Sequence, residues 1–241
     1  MEKIKTSKQR ILVAILTLCM LFTLFAPAAN VNAASKRTKA LTAYQKKLTR
    51  LDSRYNKFAL IYLDKDSIPE LLITPKETVH IATSDVYVYT GGKLKKLKYA
   101  GSDFGRLVYS RKKSVVCNSG WINGYGAVAT FYRFKKNGKK TKLKKFEEIA
   151  NPTALFKING KKVSKQKYNA EMKKIEKKYP LKQIWSFDTF ELTTDNINNL
   201  VKNYKSFIIT GKKFEFVDFF FLTIPNPQLV RMGDCPESYD F

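Results

Sequence analysis

Histidine is almost missing from this sequence: His80 is the only one in 241 residues. Any Ser-His-Asp or Cys-His centre would have to use it. It stands in "TVHIATS", a strand-like stretch with no G-x-S-x-G nearby. Cysteine is nearly as scarce, with three widely spaced residues, so no zinc-ligand spacing exists. "SVVCNSG" lacks the threonine that precedes the cysteine in sortase-like thiol enzymes. The glycine-rich "GWINGYGA", 120–127, lacks the Lys-Ser/Thr of a phosphate loop and reads as a turn between strands. Arginine is scarce too: 37 of the 45 basic residues are lysine and 8 are arginine. Base-edge readers rely on the planar, bidentate guanidinium, so this ratio speaks against sequence-specific nucleic-acid recognition. The apolar run Ile11–Phe25 has 15 residues, short of a membrane span.

That run does suit an export signal. Lys3, Lys5, Lys8 and Arg10 form a basic segment before it, and Val31-Asn32-Ala33 offers small residues at a cleavage site. Residues 1–33 are therefore expected to be a signal peptide cleaved near Ala33, giving a secreted or cell-wall-associated protein. Removing its four bases and one acid takes the net charge from +25 to +22. Two cysteines remain, Cys117 and Cys235. In a disulfide-permissive exterior they are candidates for a bridge, which would add about 4–5 kcal/mol in the chain-entropy description. Two unpaired buried thiols are the alternative.

The rest of the chain reads as α+β: a mostly antiparallel, curved sheet of about 8–10 hairpin-built strands with three amphipathic helices. Leu41, Tyr44, Leu48 and Leu51 mark a helix over about 39–51. "FALIYL", 58–63, is apolar throughout, as in a strand buried on both faces. Hairpins are expected at Gly91-Gly92, within "LVYSRKKSVVC", at Asn137-Gly138 and at Asn159-Gly160. Ser164 caps a second helix with the stripe Tyr168, Met172, Ile175 and Tyr179, closed by Pro180. "QIWSFDTFEL" reads as a strand, and Thr194 as the cap of a third helix. Residues 34–205 are taken as one domain. Residues 206–241 form an aromatic tail, read as an edge hairpin followed by loop.

The acidic stretch "LDKDSIPELLI", 63–73, is the most distinctive motif. Together with "VYVYTGGKLKKL" it resembles a group of uncharacterised secreted proteins of Gram-positive, clostridia-like bacteria that carry a D-x-D-G-x-P-E-L loop. The loop is also similar to the calcium loop of FG-GAP-type β repeats. That resemblance implies a metal site formed by Asp64, Asp66 and Glu70. The residues depart from the pattern, because Tyr62 occupies the place of the first acidic ligand and Lys65 and Ser67 replace glycines. Calcium wants six to eight oxygens, so the expectation is no resident cofactor, with calcium as the alternative. A hairpin turn whose aspartates cap backbone amides explains the same residues. A secreted hydrolase using Asp64 and Glu70 is a further alternative, since paired carboxylates flanking a cleft cleave glycosides.

Lysines cluster in the expected turns: Lys112 and Lys113 in one, Lys135, Lys136, Lys139 and Lys140 in another. If one connection at 118–126 returns the chain, both turns fall at the same end of the sheet. They are the candidate polyanion-binding residues. The resulting expectation is an exported, non-enzymatic domain whose partner is an anionic cell-wall polymer or acidic glycan. A purely structural secreted domain is the other alternative.

Overall fold

The computed structural model describes residues 33–75, 84–102, 106–122, 126–135, 139–149 and 154–214. The architecture is α+β, as the hairpin pattern predicts. The strands divide between two sheets. One has five strands in the order β13 (Phe190–Glu191), β1 (Tyr55–Ile61), β2 (Glu70–Pro75), β3 (Asp85–Thr90) and β4 (Lys93–Lys96), all antiparallel. The other runs β11 (Lys161–Val163), β10 (Leu155–Ile158), β9 (Lys140–Ile149), β8 (Gly126–Phe134), β7 (Val115–Ile122), β6 (Leu107–Ser110), β12 (Lys182–Ile184) and β14 (Lys212–Lys213). The short β5 (Gly101–Ser102) adds a parallel pair beside β7.

Alternation of side chains along these strands creates four layers. Outermost on one side lies α1, residues 33–48, with Ala40, Leu41, Tyr44 and Leu48 buried. They pack on Phe58, Leu60, Leu71 and Ile73 from one face of the five-stranded sheet. The opposite face presents Ile61, Leu72, Val86 and Val88. These meet Leu107, Tyr109, Val116 and Ile184 of the nine-stranded sheet. The outer face of that second sheet, with Val108, Cys117, Ala129, Phe131 and Phe146, is covered by α2 (Lys165–Lys178). The continuous apolar run "FALIYL" is thus accounted for: β1 is in contact with core on both faces.

Local signals set most element ends. The Ser164 hydroxyl accepts the Lys167 amide at 3.2 Å and starts α2. Tyr168, Met172 and Ile175 are buried as the stripe predicts. The turn at Asn159-Gly160 has φ of 51° and 83°, and Gly91-Gly92 has 58° and 74°. Two successive positive φ angles are what a two-residue hairpin of matching twist requires. The Asn137-Gly138 tip lies outside the described residues.

Three expectations change in detail. α1 is already helical at residue 33, ahead of the expected start near 39, and Leu51 packs on the core from beyond the helix. The third helix, α3 (Thr194–Asn199), is capped by Thr193, whose hydroxyl accepts the Asn196 amide at 3.1 Å. The stretch "QIWSFDTFEL" is not one strand: it splits into β12 and β13 in different sheets, around a turn at Ser186–Asp188. Phe207 and Phe214, in the segment the sequence groups with the tail, are buried. Phe207 lies 5.4 Å from Phe58 and 5.3 Å from Phe190 between ring centres.

Candidate functional site

The acidic loop is the connection between β1 and β2, closed by the Ile61–Glu70 pair. Its conformation is written by its own side chains. Asp64 Oδ1 accepts the Asp66 amide and Asp66 Oδ1 accepts the Ile68 amide, both at 2.8 Å. Glu70 Oε2 accepts the Leu63 amide at 2.7 Å, and the Tyr44 hydroxyl donates to the Pro69 carbonyl at 2.9 Å. These bonds use the short acidic side chains as turn formers. Among the described residues only Ser114 and Asn159 are non-glycines with positive φ. Lys65 and Ser67 therefore avoid the left-handed backbone that a glycine-bearing loop can adopt.

Asp64, Asp66 and Glu70 each bring a carboxylate oxygen within 4.8 Å of the others. The three acids selected from sequence are thus one cluster. Burial holds the Glu70 carboxyl well above its ordinary range. The Leu63 amide opposes that shift, while the charges of Asp64 and Asp66 add to it. Burial, followed by Glu70 and Asp66, likewise pushes the Tyr44 hydroxyl upward. A buried carboxyl beside two others takes up a proton readily. Three carboxylates could also hold a divalent cation, with further oxygens from water.

Two guanidinium groups clamp the loop from outside. Arg37 Nε of α1 donates to the Ser67 carbonyl and Arg111 Nε to the Asp64 carbonyl, each at 2.9 Å. Arg111 also lies 4.5 Å from the centre of the Tyr62 ring. The loop borders a cleft of about 480 Å³ whose lining includes all three acids, Lys36, Lys39 and Phe134. A second opening, about 410 Å³, joins Asp64, Lys65 and Asp66 to Ser114 and Lys135.

That second opening leads to the basic turns. Val115 pairs with Arg133, and the Phe134 amide donates to the Ser114 carbonyl at 3.0 Å. The β6–β7 turn at Arg111–Lys113 and the β8–β9 connection are therefore at the same end of the nine-stranded sheet. The Lys135 amide donates to the Lys139 carbonyl at 2.9 Å and fixes the base of that connection. Lys112, Lys113, Lys135 and Lys139 are exposed. Lys140 differs, with its ammonium 5.0 Å and 4.6 Å from the centres of the Tyr99 and Tyr132 rings. Lys136 lies outside the described residues.

Cys117 is buried on the face of β7 that meets α2, and burial pushes its thiol up to about 12. Its expected bridge partner, Cys235, lies outside the described residues, as does His80. Among the described residues no helix is long and apolar enough to cross a membrane.

Sequence reasoning missed the clamps made by Arg37 and Arg111, whose partners are 30 and 47 residues away. It also missed a parallel stack of Trp185 and Phe187, with ring centres 5.8 Å apart and planes 10° from parallel. No protein-family model matches the chain, and no curated protein or solved structure matches it either.

Proposed function

We propose that the chain is an exported, non-enzymatic domain that associates with anionic cell-envelope polymers or acidic glycans. The observation that carries this reading is the convergence of Arg111–Lys113, Lys135 and Lys139 on one end of the nine-stranded sheet. Clustered ammonium groups in solvent make a positive field that a polyanion follows without shape-specific contacts. Lysine suits this role because its compact charge on a flexible stem accepts many phosphate or carboxylate spacings. The acidic loop is a scaffold in this reading. Its aspartates build the turn, and its carbonyl at Asp64 holds Arg111 at the same end.

The test is cosedimentation of the processed protein with Gram-positive cell walls, before and after extraction of wall teichoic acid, over a salt series. Binding should fall steeply as the screening length drops to about 10 Å near 0.1 M salt. Binding that ignores both salt and teichoic-acid removal refutes the reading. Amino-terminal sequencing of the protein in the culture medium checks cleavage near Ala33.

A further inference from the structure

The lysines at the basic end do not stop there. A shallow cleft of about 320 Å³ is lined by Lys65, Arg111, Lys112, Pro180 and Lys182. Lys182 belongs to β12, and its register partner on the outer strand β14 is Lys213. The next pair is Gln183 with Lys212, one step further from the basic turn. β12 itself runs away from that turn, since Lys182 pairs with Tyr109 and Ile184 with Leu107. Lys212 Nζ then reaches 3.5 Å from Asp188 Oδ1. Asp188 closes the turn that carries Phe187.

Phe187 is 59 % exposed, the one large apolar side chain in solvent among the described residues. Its exposure is built into the turn. Asp188 Oδ2 accepts the Trp185 amide at 3.1 Å, and the Asp188 amide donates to the Trp185 carbonyl at 3.0 Å. The Thr189 hydroxyl also donates to the Ser186 carbonyl. Trp185 lies under Phe187 and has Arg106 5.2 Å from its ring centre. A short, hydrogen-bonded turn thus holds an aromatic face outward beside a cationic sheet edge, where Lys182 and Lys213 share one face and Lys212, paired with Gln183, lies on the other. Phe187 lies five positions after Lys182, at most about 17 Å of extended chain. Together with the basic turn, that length suits several units of a polymer rather than one small ion.

We propose that the edge formed by β12 and β14 is a saccharide track: Lys112, Lys182, Lys213 and Lys212 take the negative charges of an acidic glycan, and Phe187 on Trp185 stacks against one of its sugar rings. This rests on the polyanion-binding reading and narrows it to a ligand class. Charge alone would accept any polyanion. The aromatic face adds a preference for an anion that carries flat, C–H-bearing rings.

Two probes separate the two ideas. Oligogalacturonate carries one carboxylate per sugar ring, whereas inorganic polyphosphate of matched charge has no rings. The full processed chain is titrated with each at fixed salt, alongside Phe187→Ala and the triple reversal Lys182→Glu, Lys212→Glu, Lys213→Glu. Phe187→Ala should weaken oligogalacturonate binding by about threefold to tenfold, the size of one aromatic stacking contact, and leave polyphosphate binding unchanged. The triple reversal should weaken both. In a Trp121→Phe background, Trp185 emission should change with oligogalacturonate and not with polyphosphate. Because Phe187 is exposed, its loss should leave thermal unfolding near that of the parent. Equal response of both ligands to Phe187→Ala, or no response of either to the triple reversal, overturns the track while polyphosphate binding upholds the broader reading. A parent protein that binds neither probe overturns both.

Discussion

Glu70 Oε2 accepts the backbone amide of Leu63 at 2.7 Å, inside a loop where Asp64 and Asp66 stand within 4.8 Å. A buried carboxyl serves here as a backbone acceptor, and a neutral acceptor would serve as well. Glu70→Gln should keep the bond and remove the charge. The groups facing this carboxyl are Asp64, Asp66 and Tyr44, with Lys36 and Lys39 in the bordering cleft. Its folded-state affinity for a proton exceeds that of the unfolded chain. The native state therefore binds more protons above the ordinary glutamate value of 4.5, and stability falls as pH rises from there through the folded value. Thermal unfolding from pH 4 upward should show that decline in the parent and a flatter profile in Glu70→Gln. Glu70→Ala should lose about 1–3 kcal/mol by leaving the Leu63 amide unpaired. An identical pH profile in parent and Glu70→Gln refutes the assignment.

Calcium should have little effect on unfolding. One oxygen of each acid already accepts a backbone amide, and Arg111 sits against the Asp64 carbonyl. A ligand that binds only the native state must raise the midpoint. Melting curves with calcium and with chelator should superimpose. A saturable rise of several degrees, abolished by Asp66→Ala, would show that the cluster is a metal site.

Charge reversal separates a local field from a diffuse one. Reversing Lys112, Lys113, Lys135 and Lys139 should weaken polyanion binding more than reversing Lys165, Lys173, Lys174 and Lys177 on α2. The two sets change net charge equally, so a purely global effect gives equal losses. Lys174 also pairs with Glu171 at 2.6 Å, so the α2 set needs a stability control.

Cys117 should resist thiol reagents in the folded protein. Burial and a thiol held up to about 12 leave almost no thiolate at neutral pH. Labelling followed by mass spectrometry should modify it only after denaturation. Cys117→Ser should destabilise by about 1–3 kcal/mol, because the hydroxyl enters an apolar setting of Val115, Ala129 and Phe131. Rapid native labelling would mean that the α2 face opens.

Local signals were legible in the sequence. Ser164, Gly91-Gly92 and Asn159-Gly160 act through residues a few positions away, and their outcomes match the pattern. So does the stripe Tyr168, Met172 and Ile175. The aspartates of the loop also act locally, which is why the acidic cluster could be selected beforehand. The division into two sheets could not. It depends on a break at Ser186–Asp188 inside a stretch with strand-like composition, held by bonds among Trp185, Asp188 and Thr189. Strands of two or three residues, such as β5, β13 and β14, carry no periodicity of their own. They exist because a longer neighbour offers unpaired backbone groups. Arg37 and Arg111 were invisible as clamps for a related reason: a guanidinium gives no sign in sequence of which distant carbonyl it will meet.

Three of the four outer strands, β4, β11 and β14, carry Lys93, Lys95 and Lys96, Lys161 and Lys162, and Lys212 and Lys213, while the two-residue β13 carries Phe190 and Glu191. An added strand would lie about 4.8 Å away. A second copy approaching with the same edge would press ammonium groups together in a thin layer of water. Such edges resist templating by their own kind. The abundance of lysine then has a colloidal meaning beside its chemical one: it lets a sheet-rich chain stay dispersed when crowded, and dissolved salt, by screening that repulsion, sets the limit of its tolerance.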